Sequence, residues 1–288
     1  MSKLVIGCGY LGRRVAERWA RAGERVFAVT RSPQRAVALR QQGLEPVVAD
    51  VTDRASLAGL PEAETVLYAV GFDRTADKPK RDVYVAGLAN VLDALSPRVA
   101  RLIYISSTSV YGQQAGEWVD EQSSCEPATE DGRICLAAEQ ILATHPLGDR
   151  GCILRLAGLY GPGRVPRREA LAAGAPLAAR PDSYLNLIHV DDAASAAIAT
   201  AGQPTPAALY LVTDGEPVLR REYYRELARR WQLPEPRFAD AAAGTPAAGR
   251  GATNKRISNR RLLTDLKLDL KYPSYRAGLA AILAWEEA

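Results

Sequence analysis

The hexapeptide Gly7-Cys8-Gly9-Tyr10-Leu11-Gly12 constrains this chain more than any other stretch of it. It follows an apolar run, Leu4 to Ile6, that predicts a short strand. It leads into Leu11 to Ala22, whose apolar spacing predicts an amphipathic helix closed by Gly23. Gly7 permits the tight turn, Gly9 lets backbone approach a ligand, and Gly12 lets helix and strand pack closely. The helix N-terminus adds unpaired N–H groups and partial positive charge, so the ligand this turn suits is an anion such as a pyrophosphate. Gly7, Gly9, Tyr10, Leu11 and Gly12 are accordingly expected to touch a dinucleotide.

The pattern behind the turn supports that expectation. Strands are predicted at Arg25 to Thr30, Pro46 to Ala49, Thr65 to Val70, Leu102 to Ser106 and Cys152 to Leu156, and helices at Pro33 to Gln42, Tyr84 to Leu95 and Ile134 to Ala143. Strands alternating with helices call for a parallel sheet covered on both faces, an α/β doubly wound fold of the Rossmann kind. Residues 1–160 read as one dinucleotide-binding domain. Past Gly161-Pro162-Gly163 the rhythm changes: a strand at Leu187 to Val190, a helix at Ala193 to Thr200, a strand at Ala208 to Val212 and a helix at Arg221 to Trp231. Residues 161–288 are thus expected to form mainly a smaller substrate lobe, with some elements returning to the first domain. Ala239 to Thr253 is Ala/Gly-rich and reads as a mobile loop.

Composition excludes more than it selects. With 47% hydrophobic and 24% charged residues the 288-residue chain has ordinary globular usage. No apolar run is long enough to span a membrane, and the N-terminus lacks a signal peptide's apolar core, so a cytoplasmic location is expected. The net charge of +4 is too diffuse for nucleic-acid binding but suits a small, phosphate-bearing substrate. Four widely spaced cysteines and two histidines argue for free thiols and no metal site. The assembly is expected to be a monomer or homodimer.

The second strand ends at Val29-Thr30-Arg31-Ser32, where an acid would usually take the ribose hydroxyls of NAD. No acid stands there. Arg31 can pair with a 2′-phosphate and Ser32 can donate to it, so NADP is the expected cofactor, with NAD as the alternative. Asp50 and Val51, after the third strand, and Ala69, Val70 and Gly71, after the fourth, are expected beside the adenine and its ribose.

Three further segments carry a family resemblance. Ser106-Ser107-Thr108-Ser109-Val110-Tyr111-Gly112 resembles the SS-x-x-VYG strand end of the extended short-chain dehydrogenases, the epimerase and dehydratase relatives. Leu154 to Arg164 is similar to their LR-x-x-x-x-YGPGR segment, and Asn186 to Ala193 to their N-x-IHVDD-x-A. The resemblance implies a cofactor domain of roughly seven strands, a C-terminal substrate domain, and a Ser, Tyr and Lys catalytic set. Its serine falls on Ser107, whose hydroxyl would bond a substrate carbonyl or hydroxyl. Its Tyr-x-x-x-Lys does not carry over: counting from Ala138-Glu139, Asp131 stands where the tyrosine belongs and Cys135 where the lysine belongs. The expected activity is an atypical oxidoreductase or epimerase acting on a small molecule of the nucleotide-sugar kind. A catalytically silent NADP(H)-binding sensor is the alternative. Tyr111 or Tyr160 are candidates to supply the missing proton group, while Asp131 reads as a solvated helix-start carboxylate and Cys135 as an inert thiol. His189 reads as structural, Asp191 and Asp192 as cap and first-turn charge of a helix, and Arg164, Arg167 and Arg168 as either a diphosphate site or a solvated basic loop.

Overall fold

The apolar run before the glycine turn is the middle of a sheet. The computed structural model describes residues 2–73, 75, 77–239 and 253–287; the loop expected at Ala239 to Thr253 falls almost wholly outside them. In chain order the elements are β1 (Ser2–Ile6), α1 (Gly12–Arg21), β2 (Arg25–Thr30), α2 (Pro33–Gln41), β3 (Glu45–Val48), β4 (Thr65–Tyr68), α3 (Gly87–Ala94), β5 (Arg101–Ser107), β6 (Glu117–Val119) and α4 (Glu130–Thr144). There follow β7 (Gly151–Leu156), β8 (Gly158–Tyr160), α5 (Arg168–Ala172), β9 (Tyr184–Leu185), β10 (Leu187–His189), α6 (Val190–Gly202) and β11 (Leu209–Val212). The chain closes with β12 (Val218–Leu219), α7 (Arg220–Arg230), β13 (Lys255–Ile257), α8 (Arg260–Leu266) and α9 (Tyr275–Glu286).

Seven strands form one sheet in the order β11-β7-β5-β4-β1-β2-β3. The pairs β1–β2, β1–β4, β2–β3 and β4–β5 are all parallel, with Ile6 beside Val29 on one flank and Tyr68 on the other. The fold is a Rossmann-like α/β fold. The strand order reverses between β1 and β4, and the crevice at the carboxyl ends of those two strands is where open α/β sheets bind ligands.

Two elements start earlier than the sequence pattern suggests. The helix expected from Tyr84 begins as a π-helical turn, Asp82–Ala86, before continuing as α3. A Cβ on Gly87 would lie 2.8 Å from Val51 Cγ2, so this glycine lets the helix press against the loop after β3. Helix α4 starts at Glu130 rather than Ile134. Gly132 and its acidic neighbours look like loop, but a Cβ there would meet the Ser109 carbonyl oxygen at 2.3 Å, and Thr129 Oγ1 accepts the Gly132 N–H. Close packing, not turn formation, explains that glycine.

The chain makes two compact units, and neither is a continuous stretch. The first comprises Met1–Ser107, Arg133–Arg155 and Ala194–Tyr210; the second comprises Thr108–Gly132, Leu156–Ala193 and Leu211–Ala288. A cut at residue 160 therefore misses the excursion at 108–132, while 194–210 lies in the first unit, in line with the expectation that some later elements return to it. In the first unit, Leu4, Ile6, Val66, Tyr68, Leu88, Val91 and Leu102 belong to the apolar core. The second is built around Tyr160, Leu187, Tyr223, Leu227, Tyr275 and Leu279 and carries three two-stranded ribbons, β8–β10, β9–β12 and β6–β13.

Candidate functional site

The glycine turn sits at the switch point of the sheet. Gly7 has φ of 89°, and a Cβ on it would lie 2.6 Å from the Ala69 carbonyl carbon and the Val70 nitrogen, so the loops after β1 and β4 meet at that residue. A Cβ on Gly12 would lie 2.3 Å from the Gly7 carbonyl oxygen. Gly9 differs: it is exposed and no atom lies within 4 Å of its would-be Cβ. The turn thus has two glycines closed by protein and one opening outward, beside the N-terminus of α1, whose first turn contains no acidic residue. Arg14 Nη1 donates to the Tyr10 carbonyl at 2.8 Å and its guanidinium lies 4.4 Å from the Tyr10 ring centroid. Leu11 is buried at the helix start. The Cys8 thiol, between the first two glycines, is pushed up to about 12 by burial and by Glu17, so it stays protonated and unreactive.

A shallow concavity lies past the ends of β2, β3 and β4, lined by Arg31, Asp50, Val51, Thr52, Val70, Gly71, Asp73, Lys78 and Val83. Five of these were expected from sequence: Arg31, Asp50, Val51, Val70 and Gly71. Thr52, Asp73, Lys78 and Val83 were not, because the loops after β3 and β4 and a π turn carry no periodicity that points them inward. Ala69 does not line the concavity; its N–H donates to the Ile6 carbonyl at 2.7 Å. Ser32, expected to donate to a phosphate, is the N-cap of α2: its Oγ accepts the Arg35 N–H at 3.2 Å and lies 3.0 Å from Gln34 Oε1.

Charge in the concavity is paired. Arg31 Nη2 donates to Asp73 Oδ2 at 3.0 Å, and Lys78 Nζ lies 3.2 Å from Asp50 Oδ2 and also bonds Thr52 Oγ1. Burial raises the Asp50 carboxyl, but the Thr52 N–H, the Thr52 hydroxyl and Lys78 outweigh it and leave the group below its usual range. The turn, the helix N-terminus and this charge-balanced concavity fit the diphosphate and adenosine of a dinucleotide.

Ser107 is the last residue of β5, at the same carboxyl edge of the sheet, and is half-buried. Its neighbour Ser106 is fixed from below. Ser106 Oγ donates to Glu139 Oε1 at 2.5 Å, and Glu139 is clamped by Arg155 through Nε at 3.0 Å and Nη2 at 2.6 Å. Glu139 and Arg155 are only 4% and 6% exposed, so this is a buried ion pair holding the strand end on which Ser107 sits.

The residues around the missing Tyr-x-x-x-Lys supply no obvious replacement. Helix α4, EDGRICLAAEQILAT, contains neither tyrosine nor lysine. Asp131 is exposed in its first turn and Cys135 is buried. Tyr111 and Tyr160 are fully buried within the second unit: the Tyr111 hydroxyl donates to the Asp120 carbonyl at 2.9 Å, and the Tyr160 hydroxyl donates to the Ser274 carbonyl at 3.4 Å and packs on Gly278. Burial pushes the Tyr160 phenol far up. Both hydroxyls are thus engaged by backbone carbonyls of the second unit.

Several other motif residues of the second unit are built into its packing. His189 is buried, accepts the Asp191 N–H through Nδ1 at 3.2 Å, and lies between the Tyr160 and Tyr272 rings at 5.3 and 3.9 Å. Asp192, expected as first-turn charge, is 1% exposed and accepts the N–H groups of Lys271 and Tyr272, which ties the segment ahead of α9 to the start of α6. Arg168 forms an ion pair with Glu286 at 2.5 Å and lies over the Trp231 ring, with its side chain 31% exposed. Lys255 was not singled out from sequence. It is 6% exposed, its Nζ donates to the Tyr111 carbonyl at 2.7 Å and to Thr253 Oγ1 at 2.9 Å, and burial together with Arg220 pushes its ammonium down to about 8. Among the described residues, no group of three or more His, Cys, Asp or Glu could hold a metal ion, and no helix is long and apolar enough to cross a membrane.

Sheet order and glycine turn together define a Rossmann-like α/β protein. The chain belongs to the NAD dependent epimerase/dehydratase family, whose sequence profile matches residues 4–208. It is 29% identical over 275 residues to the Escherichia coli (strain K12) protein YeeZ, covering 93% of this chain and 95% of that one. A solved structure of a conserved protein of unknown function from Silicibacter pomeroyi is 31% identical and superposes with a TM-score of 0.77, covering 100% of this chain and 99% of the other. The Bordetella bronchiseptica enzyme WbmG, solved in complex with NAD and UDP, is 20% identical with a TM-score of 0.80, covering 99% and 94%; at that identity the likeness is one of fold.

Proposed function

We propose that the protein binds NADP(H) in preference to NAD(H) and acts as an atypical oxidoreductase or epimerase on a small phosphate-bearing molecule of the nucleotide-sugar class. The observation that carries the cofactor reading is Arg31, which lines the concavity at the end of a β2 that bears no acid. In this reading the backbone from Gly9 to Gly12 and the α1 N-terminus hold the diphosphate, Asp50 to Thr52 and Val70 to Gly71 border the adenosine, and Arg31 takes the 2′-phosphate as a guanidinium fork. The nicotinamide supplies a hydride acceptor and donor when bound. The Ser107 hydroxyl bonds the substrate oxygen, and the buried Glu139–Arg155 pair keeps the strand end rigid beneath it. The nucleotide-sugar class is supported by the UDP bound to WbmG, and a cytoplasmic site of action by its use of a soluble coenzyme.

A second reading is favoured by one observation, that α4 offers neither Tyr nor Lys. It makes the protein a silent NADP(H) sensor that passes cofactor occupancy to a partner. Titration of the ligand-free protein with NADP(H) and NAD(H), followed by nicotinamide fluorescence, tests the cofactor reading. Arg31→Ala is expected to weaken NADP(H) binding about tenfold and to leave NAD(H) nearly unchanged. Equal weakening of both would remove the 2′-phosphate role from Arg31. Hydride exchange with any member of a panel of carbonyl compounds and nucleotide sugars would decide for the enzyme. Tight cofactor binding with no exchange across the panel would decide for the sensor.

A further inference from the structure

The two ion pairs in the concavity are built from carboxylates of different character. Asp50 borders the pocket from a short, hydrogen-bonded turn: its Oδ1 accepts from Thr52 N–H and Oγ1 at 2.9 and 2.8 Å, and its own N–H donates to Ser56 Oγ at 2.9 Å. Asp73 is held on one side only. Its Oδ1 accepts the N–H and hydroxyl of Thr75 at 3.0 and 2.6 Å, which leaves Oδ2 aimed at the Arg31 guanidinium. The Thr75 bonds, then Arg31, hold its carboxyl below the usual range, so it is an anion at neutral pH. The Arg31 and Asp73 side chains remain 46% and 42% exposed, which makes this a weak pair, one that a phosphate can displace.

We infer that Asp73 is a built-in stand-in for the 2′-phosphate: it occupies Arg31 until a phosphorylated ribose takes its place, and so sets the NADP(H) to NAD(H) ratio. The inference rests on the cofactor reading above. A ligand that bears a 2′-phosphate must break the Arg31–Asp73 pair and bring its own negative charge up to a carboxylate, whereas a ligand with a free 2′-hydroxyl meets neither cost. Asp73 therefore acts as a brake on NADP(H) affinity alone. Nothing at the end of β2 reveals it, because it comes from a loop forty-two residues further along the chain.

The test is calorimetric titration of the full chain with 2′,5′-ADP and with 5′-AMP, in wild type, Asp73→Asn, Arg31→Ala and the double variant. Asparagine keeps the acceptor that Thr75 needs and removes the charge. Asp73→Asn is expected to tighten 2′,5′-ADP about fivefold and to change 5′-AMP by less than a factor of about two, and in the Arg31→Ala background the gain is expected to vanish. Unchanged 2′,5′-ADP affinity in Asp73→Asn, with Arg31→Ala still weakening it, would overturn the inference and leave the cofactor reading intact. Weaker 5′-AMP binding in Asp73→Asn would also overturn it, since Asp73 would then be a direct acceptor for the ribose. If neither nucleotide nor either dinucleotide binds wild type, the cofactor reading falls and takes the inference with it.

Discussion

Replacing Glu139 by alanine is expected to cost about 3–5 kcal/mol and to lower the thermal midpoint by roughly 10 °C, the largest effect of any single polar substitution considered. The reason is asymmetric. Arg155 donates through Nε and Nη2 to Glu139, and both side chains are less than 10% exposed, at 7% and 5%. Taking the carboxylate away leaves a guanidinium buried beside β5 without its anion, and Ser106 Oγ loses its acceptor. Replacing both partners with methionine is expected to recover most of the loss, because an apolar pair of similar volume leaves no stranded charge. Thermal unfolding of Glu139→Ala, Arg155→Met and Glu139→Met/Arg155→Met measures this. A drop below about 2 °C in Glu139→Ala would mean that the pair is solvated and does not stiffen the strand end carrying Ser107.

Much of the fold was legible because its signals are local. From Leu4 to Leu156 strands of the sheet alternate with helical segments, and glycines with positive φ close α1 and α2 at Gly23 and Gly43, as the sequence suggests. What resisted reading is non-local. Segment 108–132 looks like part of the first domain because it follows β5 directly, yet Lys255 and Arg256 from the far end of the chain donate to its Tyr111 and Gly116 carbonyls, and its Gly116 N–H donates to the Asn254 carbonyl. The same holds at the site. Arg31 and Asp50 are readable because they end strands, whereas Asp73 and Lys78 enter the concavity from an irregular loop. Asp192 illustrates the converse: the sequence reads it as cap or first-turn charge of a helix, and a distant segment supplies two N–H donors to its buried carboxylate. A cap signal reports what a carboxylate can do locally, and tertiary packing decides which donors reach it.

The stability of the wild-type protein is expected to fall as pH rises from about 4 to about 8, relative to Asp214→Asn, because of a single buried acid. Asp214 is 6% exposed; its Oδ1 accepts the Glu216 N–H at 3.0 Å, and its Oδ2 is buried with no hydrogen-bond partner among the described residues. Burial, and then the nearby carboxylates of Glu216 and Asp192, push its carboxyl up to about 8, against which the bonds from the Glu216 N–H and Thr213 pull only partly. The folded state thus holds a proton that the unfolded chain releases near pH 4. Below the unfolded value both states are protonated and the acid costs nothing; between the two values the folded state must retain a proton that the unfolded state has already given up, so stability is lost steadily; above the folded value the loss levels off. A separation of this size is worth up to about 5 kcal/mol. Asparagine imitates the protonated carboxyl and has no proton to lose, so thermal midpoints of the two proteins should lie close together near pH 4.5 and separate progressively, with the variant more stable by pH 8. Parallel curves across that range would mean that Asp214 stays ionised in the fold, and that the unpartnered Oδ2 is reached by solvent.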